Sequence, residues 1–130
     1  MERVSLAPNV CHLQSGSNMG LVVRDSQALL IDVGLDSDAA RRALRNVEEQ
    51  QAELVAIVVT HAHADHFGGA HFLQQRMHVP VYAPALEGAL MEHPIIEPLY
   101  LFGGAAPIRE LRKKFTLAES CKVEASVAPG

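Results

Sequence analysis

The chain has 130 residues, 48% hydrophobic and 20% charged, with a formal net charge of −4, two cysteines and no tryptophan. This is the material of one globular domain, without the basic surplus that draws a protein to nucleic acid. No apolar run approaches the ~20 residues of a membrane span, and nothing behind Met1-Glu2-Arg3-Val4 reads as a signal peptide. The expectation is a cytoplasmic protein with neither a nucleic-acid nor a membrane partner. Cys11 and Cys121, far apart in the chain, read as free thiols.

The first third reads as short strands. Arg3 to Ala7 and Val10 to Gln14 are separated by the turn signal Pro8-Asn9. Ser15-Gly16-Ser17 interrupts the pattern before Met19 to Arg24 and Gln27 to Asp32, joined by a tight Asp25-Ser26 turn. An antiparallel meander is the outcome expected. After Val33-Gly34 the period changes. Asp36, Ser37 and Asp38 offer helix N-caps, and Ala40, Leu44 and Val47 recur at helical spacing while Arg41, Arg42, Arg45 and Glu48 face away. Leu54 to Val59 returns as a strand. A second helix is expected near His66, carried by Ala70, Leu73 and Met77.

The runs Ala28 to Ile31 and Leu54 to Val59 do not alternate with polar residues, so both faces of their sheet need cover. The helices supply cover for one face only. Further on, Val81-Tyr82-Ala83 reads as a short strand and Ala85 to Met91 as a helix, with Pro94 and Pro98 limiting regular structure beyond it. Gly103 to Pro107 is a loop, Ile108 to Lys114 one or two helical turns, and Lys122 to Val127 the beginning of a strand before the Pro129-Gly130 turn signal.

The segment that decides the functional reading is Thr60-His61-Ala62-His63-Ala64-Asp65-His66, directly after an apolar strand. It holds three of the seven histidines and a carboxylate. In extended backbone His61 and His63 project to the same side, and two imidazoles on one side can share a metal ion. Asp65 and His66 follow where the chain turns into a helix and point to a neighbouring position. Ala62 and Ala64 let the backbone bend, and Gly68-Gly69 permits close packing. An imidazole and carboxylate donor set suits zinc, iron or manganese.

This segment resembles the H-x-H-x-D-H signature of the metallo-β-lactamase-fold metallohydrolases. Leu30-Ile31-Asp32-Val33-Gly34 is similar to that family's earlier strand-end motif, and the resemblance is good over residues 1 to about 83. It implies His61 and His63 as ligands of a first metal and Asp65 and His66 as ligands of a second. Asp32 is implied to orient a ligand imidazole by accepting its other N–H. The fold implied is α+β: the first half of an αββα sandwich, a mixed sheet with helices on one face. Residues 1–130 are then expected to be the N-terminal, truncated half of a longer domain, since the resemblance implies later ligands that find no match here.

The function implied is hydrolysis by a metal-bound hydroxide attacking an ester, thioester, lactam or phosphodiester, with two zinc ions in the complete site and Asp65 helping to orient the nucleophile. Two ligands per metal position imply weak metal binding and little activity in this chain alone. Two other readings stand beside it: a non-catalytic half-domain acting through another chain or a homodimer that covers the open sheet face, and a mononuclear iron enzyme oxidising persulfides. A small molecule is the substrate class expected. His12, His71 and His78 read as ordinary residues. His93 and Tyr100 are weak candidates for a substrate cleft, and Arg109, Arg112, Lys113 and Lys114 read as a solvated helix face.

Overall fold

Four strands wind up and down before the first helix, joined by the two-residue turns Pro8-Asn9 and Asp25-Ser26 and by the four-residue link 15–18. The computed structural model describes residues 1–129. Its strands are β1 (Glu2–Ala7), β2 (Val10–Gln14), β3 (Met19–Arg24), β4 (Gln27–Ile31), β5 (Glu53–Val58), β6 (Val81–Pro84) and β7 (Ala125–Val127). They form one sheet in sequence order, antiparallel from β1 to β4 and parallel from β4 to β7. The β3–β4 turn is carried by Asp25 and Ser26 at φ 49° and 59°. Left-handed backbone at both central residues matches the twist of a hairpin.

The parallel half is built by helical crossovers. Helix α1 (Ser37–Glu49) starts at Asp36, whose carboxylate accepts from the Asp38 and Ala39 N–H groups at 3.1 Å each. Its buried face is Ala39, Ala40, Ala43, Leu44 and Val47. The single helix expected near His66 is instead two, α2 (Ala64–Phe67) and α3 (Ala70–Met77). The break falls at Gly68-Gly69, where the chain passes hard against the loop after β4. A Cβ on Gly68 would lie 1.9 Å from the Leu35 carbonyl oxygen, and one on Gly69 2.6 Å from that of Val33.

Beyond β6 lie α4 (Ala85–Glu92) and α5 (Ile96–Leu101). Pro98 does not prevent α5, because it occupies the first turn, where backbone N–H groups have no intrahelical partner to lose. The expected turns after Ile108 reduce to one 3₁₀ turn at Arg109–Leu111. The strand expected from Lys122 begins only at Ala125. Gly130, half of the terminal turn signal, lies outside the described residues.

Register divides the sheet into two unlike faces. Leu21, Leu30, Ile57 and Val81 align across β3 to β6 and are all fully buried against the helices, together with Leu13, Met19, Ala28 and Ala83. The row one residue along, Gly20, Ile31, Val58 and Tyr82, and the row Val10, Val22, Leu29 and Ala56, lie on the other face and are only half-buried. The helices thus cover one face, and the apolar residues of the second stay partly open.

Candidate metal centre

The centre forms where the C-terminal ends of β4 and β5 meet the start of α2. Asp32 follows β4 with φ 58°, a left-handed conformation that aspartate adopts more readily than most residues. That turn aims its carboxylate across the sheet towards the end of β5. The segment after β4 is tied to the end of β5 by the Asp32 N–H donating to Val58 O (2.9 Å) and to α2 by the Val33 N–H donating to His66 O (2.8 Å). Gly34 continues as an isolated parallel bridge to Phe67.

Asp32 is 5% exposed and every hydrogen bond its carboxylate makes points into the centre. Oδ1 accepts from the Thr60 N–H at 2.8 Å; Oδ2 accepts from Thr60 Oγ1 at 2.8 Å and from His66 Nδ1 at 2.8 Å. Thr60 Oγ1 is in turn 3.0 Å from His61 Nδ1. Proton assignment follows from the chemistry. A carboxylate accepts only, so His66 Nδ1 carries a hydrogen. The Thr60 hydroxyl spends its one proton on Asp32 and therefore accepts from His61 Nδ1–H. One buried carboxylate thus sets the tautomer of two imidazoles, one directly and one through a hydroxyl. In both, Nε2 keeps its lone pair.

The remaining donors gather around these. The His61 and His66 ring centroids are 4.0 Å apart, those of His61 and His63 4.7 Å with the rings nearly perpendicular. Asp65 Oδ2 lies 3.6 Å from His66 Nε2. Ligating atoms of Asp32, His61 and His66 fall within 4.8 Å of one another. Of the four side chains picked out in the H-x-H-x-D-H segment, His61 and His66 are brought together with Asp32, whereas His63 is near His61 only through its ring and Asp65 is near His66. His63 is exposed, while His61, Asp65 and His66 are half-buried.

The backbone between them is held from three sides. Extended His63 caps α2, its carbonyl accepting from the His66 N–H at 2.9 Å, and the helical turn that follows brings the His66 ring beside His61. The Ser17 hydroxyl donates to the Asp65 carbonyl. The Ala62 N–H donates to Glu87 Oε2 at 2.7 Å. Glu97 is 9% exposed; burial pushes its carboxyl above the usual carboxylate range, against the opposing pull of the nearby His63 and the Ala64 N–H. Burial, followed by Glu97 and Glu87, raises the Tyr100 phenol as well.

Thr60, Ser17, Glu87 and Glu97 were not singled out by sequence reasoning. Thr60 adjoins the motif and its hydroxyl was a readable signal; the other three come from distant elements and carried none. His71 sits on α3 with Nδ1 2.8 Å from Ser120 O, anchoring the segment that leads to β7. His78 and His93 cap the ends of α3 and α4, and His12 lies on the half-open sheet face. Cys11 and Cys121 are free thiols. Among the described residues no helix is long and apolar enough to cross a membrane.

Comparison with known proteins agrees with this geometry. Residues 13–125 match the family model of the metallo-beta-lactamase superfamily. The exodeoxyribonuclease YycJ of Bacillus anthracis is 38% identical over 83 residues, which cover 62% of this chain and 31% of that protein. A hydroxyacylglutathione hydrolase of Nitrosomonas europaea is 40% identical over 78 residues, 58% of this chain and 28% of that one. In fold the chain is similar to BJP-1, a subclass B3 metallo-beta-lactamase of Bradyrhizobium japonicum, with a TM-score of 0.77, 19% identity, and coverage of 100% of this chain but 46% of the other. The matched stretch is thus less than a third of these curated relatives and about half of the solved structure. A paired strand-end Asp32 and H-x-H-x-D-H loop on a mixed sheet, matched over most of its length by one family model, places this chain in the metallo-beta-lactamase superfamily.

Proposed function

We propose that His61, His63, Asp65 and His66 hold divalent metal, zinc in first place, and that the chain supplies the first half of a hydrolase centre acting on an ester, thioester, lactam or phosphodiester. The observation that carries this reading is the Asp32–Thr60 relay. It commits Nδ1 of His61 and of His66 to hydrogen bonds and leaves both Nε2 atoms free, that of His66 3.6 Å from Asp65 Oδ2. Imidazole and carboxylate donors prepared in this way suit zinc or iron. When bound, the metal supplies Lewis acidity and lowers the pKa of water towards neutrality.

The chain's own residues have distinct parts in that chemistry. Asp32 and Thr60 keep the imidazoles in the ligating tautomer. Asp65 is the half-exposed carboxylate placed to orient a water and accept its proton. Net charge favours a small molecule over nucleic acid as substrate, although relatives include proteins named as an exodeoxyribonuclease and as ribonuclease J. The half-buried apolar sheet face is the surface through which a second chain, including another copy of this one, would complete the fold.

A single-iron reading has one observation in its favour: Asp32, His61 and His66 resemble a set of two histidines and one carboxylate. Against it, both Asp32 oxygens are already occupied by Thr60 and His66, which fits a supporting role better than a ligand. Elemental analysis of protein purified without added metal, alongside hydrolysis assays with a thioester, a β-lactam and bis(p-nitrophenyl) phosphate, tests the proposal. Zinc lost together with any hydrolysis in His61→Ala and His66→Ala supports it. Iron alone, or metal content unchanged by both substitutions, overturns it. With two ligands per metal position, zinc binding by the chain alone is expected to be weak.

A further inference from the structure

The ligand segment, residues 60–66, runs from just past β5 into α2, and its backbone must hold its shape for the imidazoles to be positioned. Backbone N–H groups in such a segment need partners. The Ala62 amide, between the two first histidines, is buried with its residue and finds none in the sheet. Its partner is Glu87 Oε2, at 2.7 Å, from the first turn of α4. The amide between His61 and His63 is therefore met by a carboxylate from a helix 25 residues further along the chain.

We propose that Glu87 is a positioning residue for the metal ligands. It holds the loop backbone so that the His61 and His63 rings face one centre. The inference rests on the metal-centre reading for its consequence, but the clamp itself is a property of the metal-free chain. A carboxylate accepting from a backbone amide makes a short, charge-assisted bond, and supports of this kind orient ligands at a distance from the metal. Helix α4 thereby becomes part of the centre without contributing a ligand. This gives a function to a region in which the sequence shows no motif.

The test uses the full chain and two readouts, amide hydrogen exchange at Ala62 by NMR without metal, and zinc titration followed through the imidazole signals. Glu87→Ala is expected to speed Ala62 exchange about tenfold or more, as local opening no longer has to break that bond, and to weaken zinc binding by about 10- to 100-fold. Glu87→Gln keeps an acceptor oxygen and should restore most of both. Glu92→Ala is the control, since Glu92 on the same helix accepts from the Val123 N–H at 3.1 Å, away from the loop. Unchanged Ala62 exchange in Glu87→Ala, or an equal loss of zinc affinity in Glu92→Ala, overturns the inference. If wild-type chain takes up no zinc at all, the metal reading fails, and the exchange data still decide whether Glu87 holds the loop.

Discussion

Replacing Asp32 by asparagine changes one atom and should invert the chemistry of two histidines. In the wild-type chain Oδ2 accepts two hydrogen bonds at 2.8 Å, from Thr60 Oγ1 and His66 Nδ1. An amide nitrogen in that place donates instead. His66 must then accept at Nδ1 and move its proton to Nε2, and the Thr60 hydroxyl, now receiving from Asn, turns its hydrogen to His61 Nδ1 with the same result. Both lone pairs at Nε2 are lost. Bonds to a charged group contribute about 1.5–3 kcal/mol and neutral ones about 0.5–1.5 kcal/mol. Two such exchanges make the stability cost about 2 kcal/mol. The Thr60 N–H keeps its acceptor at Oδ1, so the fold should survive. Zinc affinity should fall by about 10- to 100-fold, the usual cost of losing an outer support. Urea denaturation reads the first effect, zinc titration the second, and ¹⁵N NMR of the imidazoles reports the tautomers. A variant with His66 still protonated at Nδ1 and zinc affinity unchanged would refute the relay.

Other substitutions probe the frame around the centre. Gly68→Ala would place a methyl 1.9 Å from the Leu35 carbonyl oxygen, and the backbone shift needed should cost about 3 kcal/mol or more; a thermal midpoint within error of wild type would contradict that. Asp36→Ala removes the α1 cap and the 2.8 Å pair with Lys114, a loss of about 1 kcal/mol measurable by urea unfolding at neutral pH. The Lys114 hydrogen bond and then the Ala39 N–H hold the Asp36 carboxyl below its ordinary 3.8. Its contribution is therefore complete above that value and declines as pH falls through the lowered folded pKa. The gap between wild type and variant should close on acidification and not on raising the pH. Cys121 is 3% exposed and burial pushes its thiol up to about 12, so alkylation at pH 8 should require unfolding; rapid labelling of native protein would argue against its burial. Light scattering tests association through the open sheet face, where Leu29→Lys should abolish any dimer, and a dimer that persists would place the interface elsewhere.

Elements written in local period were legible from the sequence. The Asp25-Ser26 turn, the helical spacing of Ala40, Leu44 and Val47, and the unbroken apolar run before Thr60 depend on neighbours a few residues away. The H-x-H-x-D-H segment was legible for the same reason, its four donor side chains lying within residues 61–66. Local pattern failed where distant backbone intervened. The helix near His66 divides in two because Gly68 and Gly69 press on the loop after β4. Helix α5 forms across Pro98 because the proline falls in its first turn.

The sequence by itself determined which side chains have ligand chemistry and that the strand before them is buried. Only the tertiary structure decided how those side chains are prepared. It sets Asp32 against His66 across 34 residues, routes the proton of His61 through Thr60 to the same carboxylate, and brings Glu87 to the Ala62 amide from 25 residues away. Hydrogen bonds of that range have no spacing signature. Their partners meet only after the sheet has aligned the ends of β4 and β5, so register and turn geometry, which belong to the folded chain, settle them.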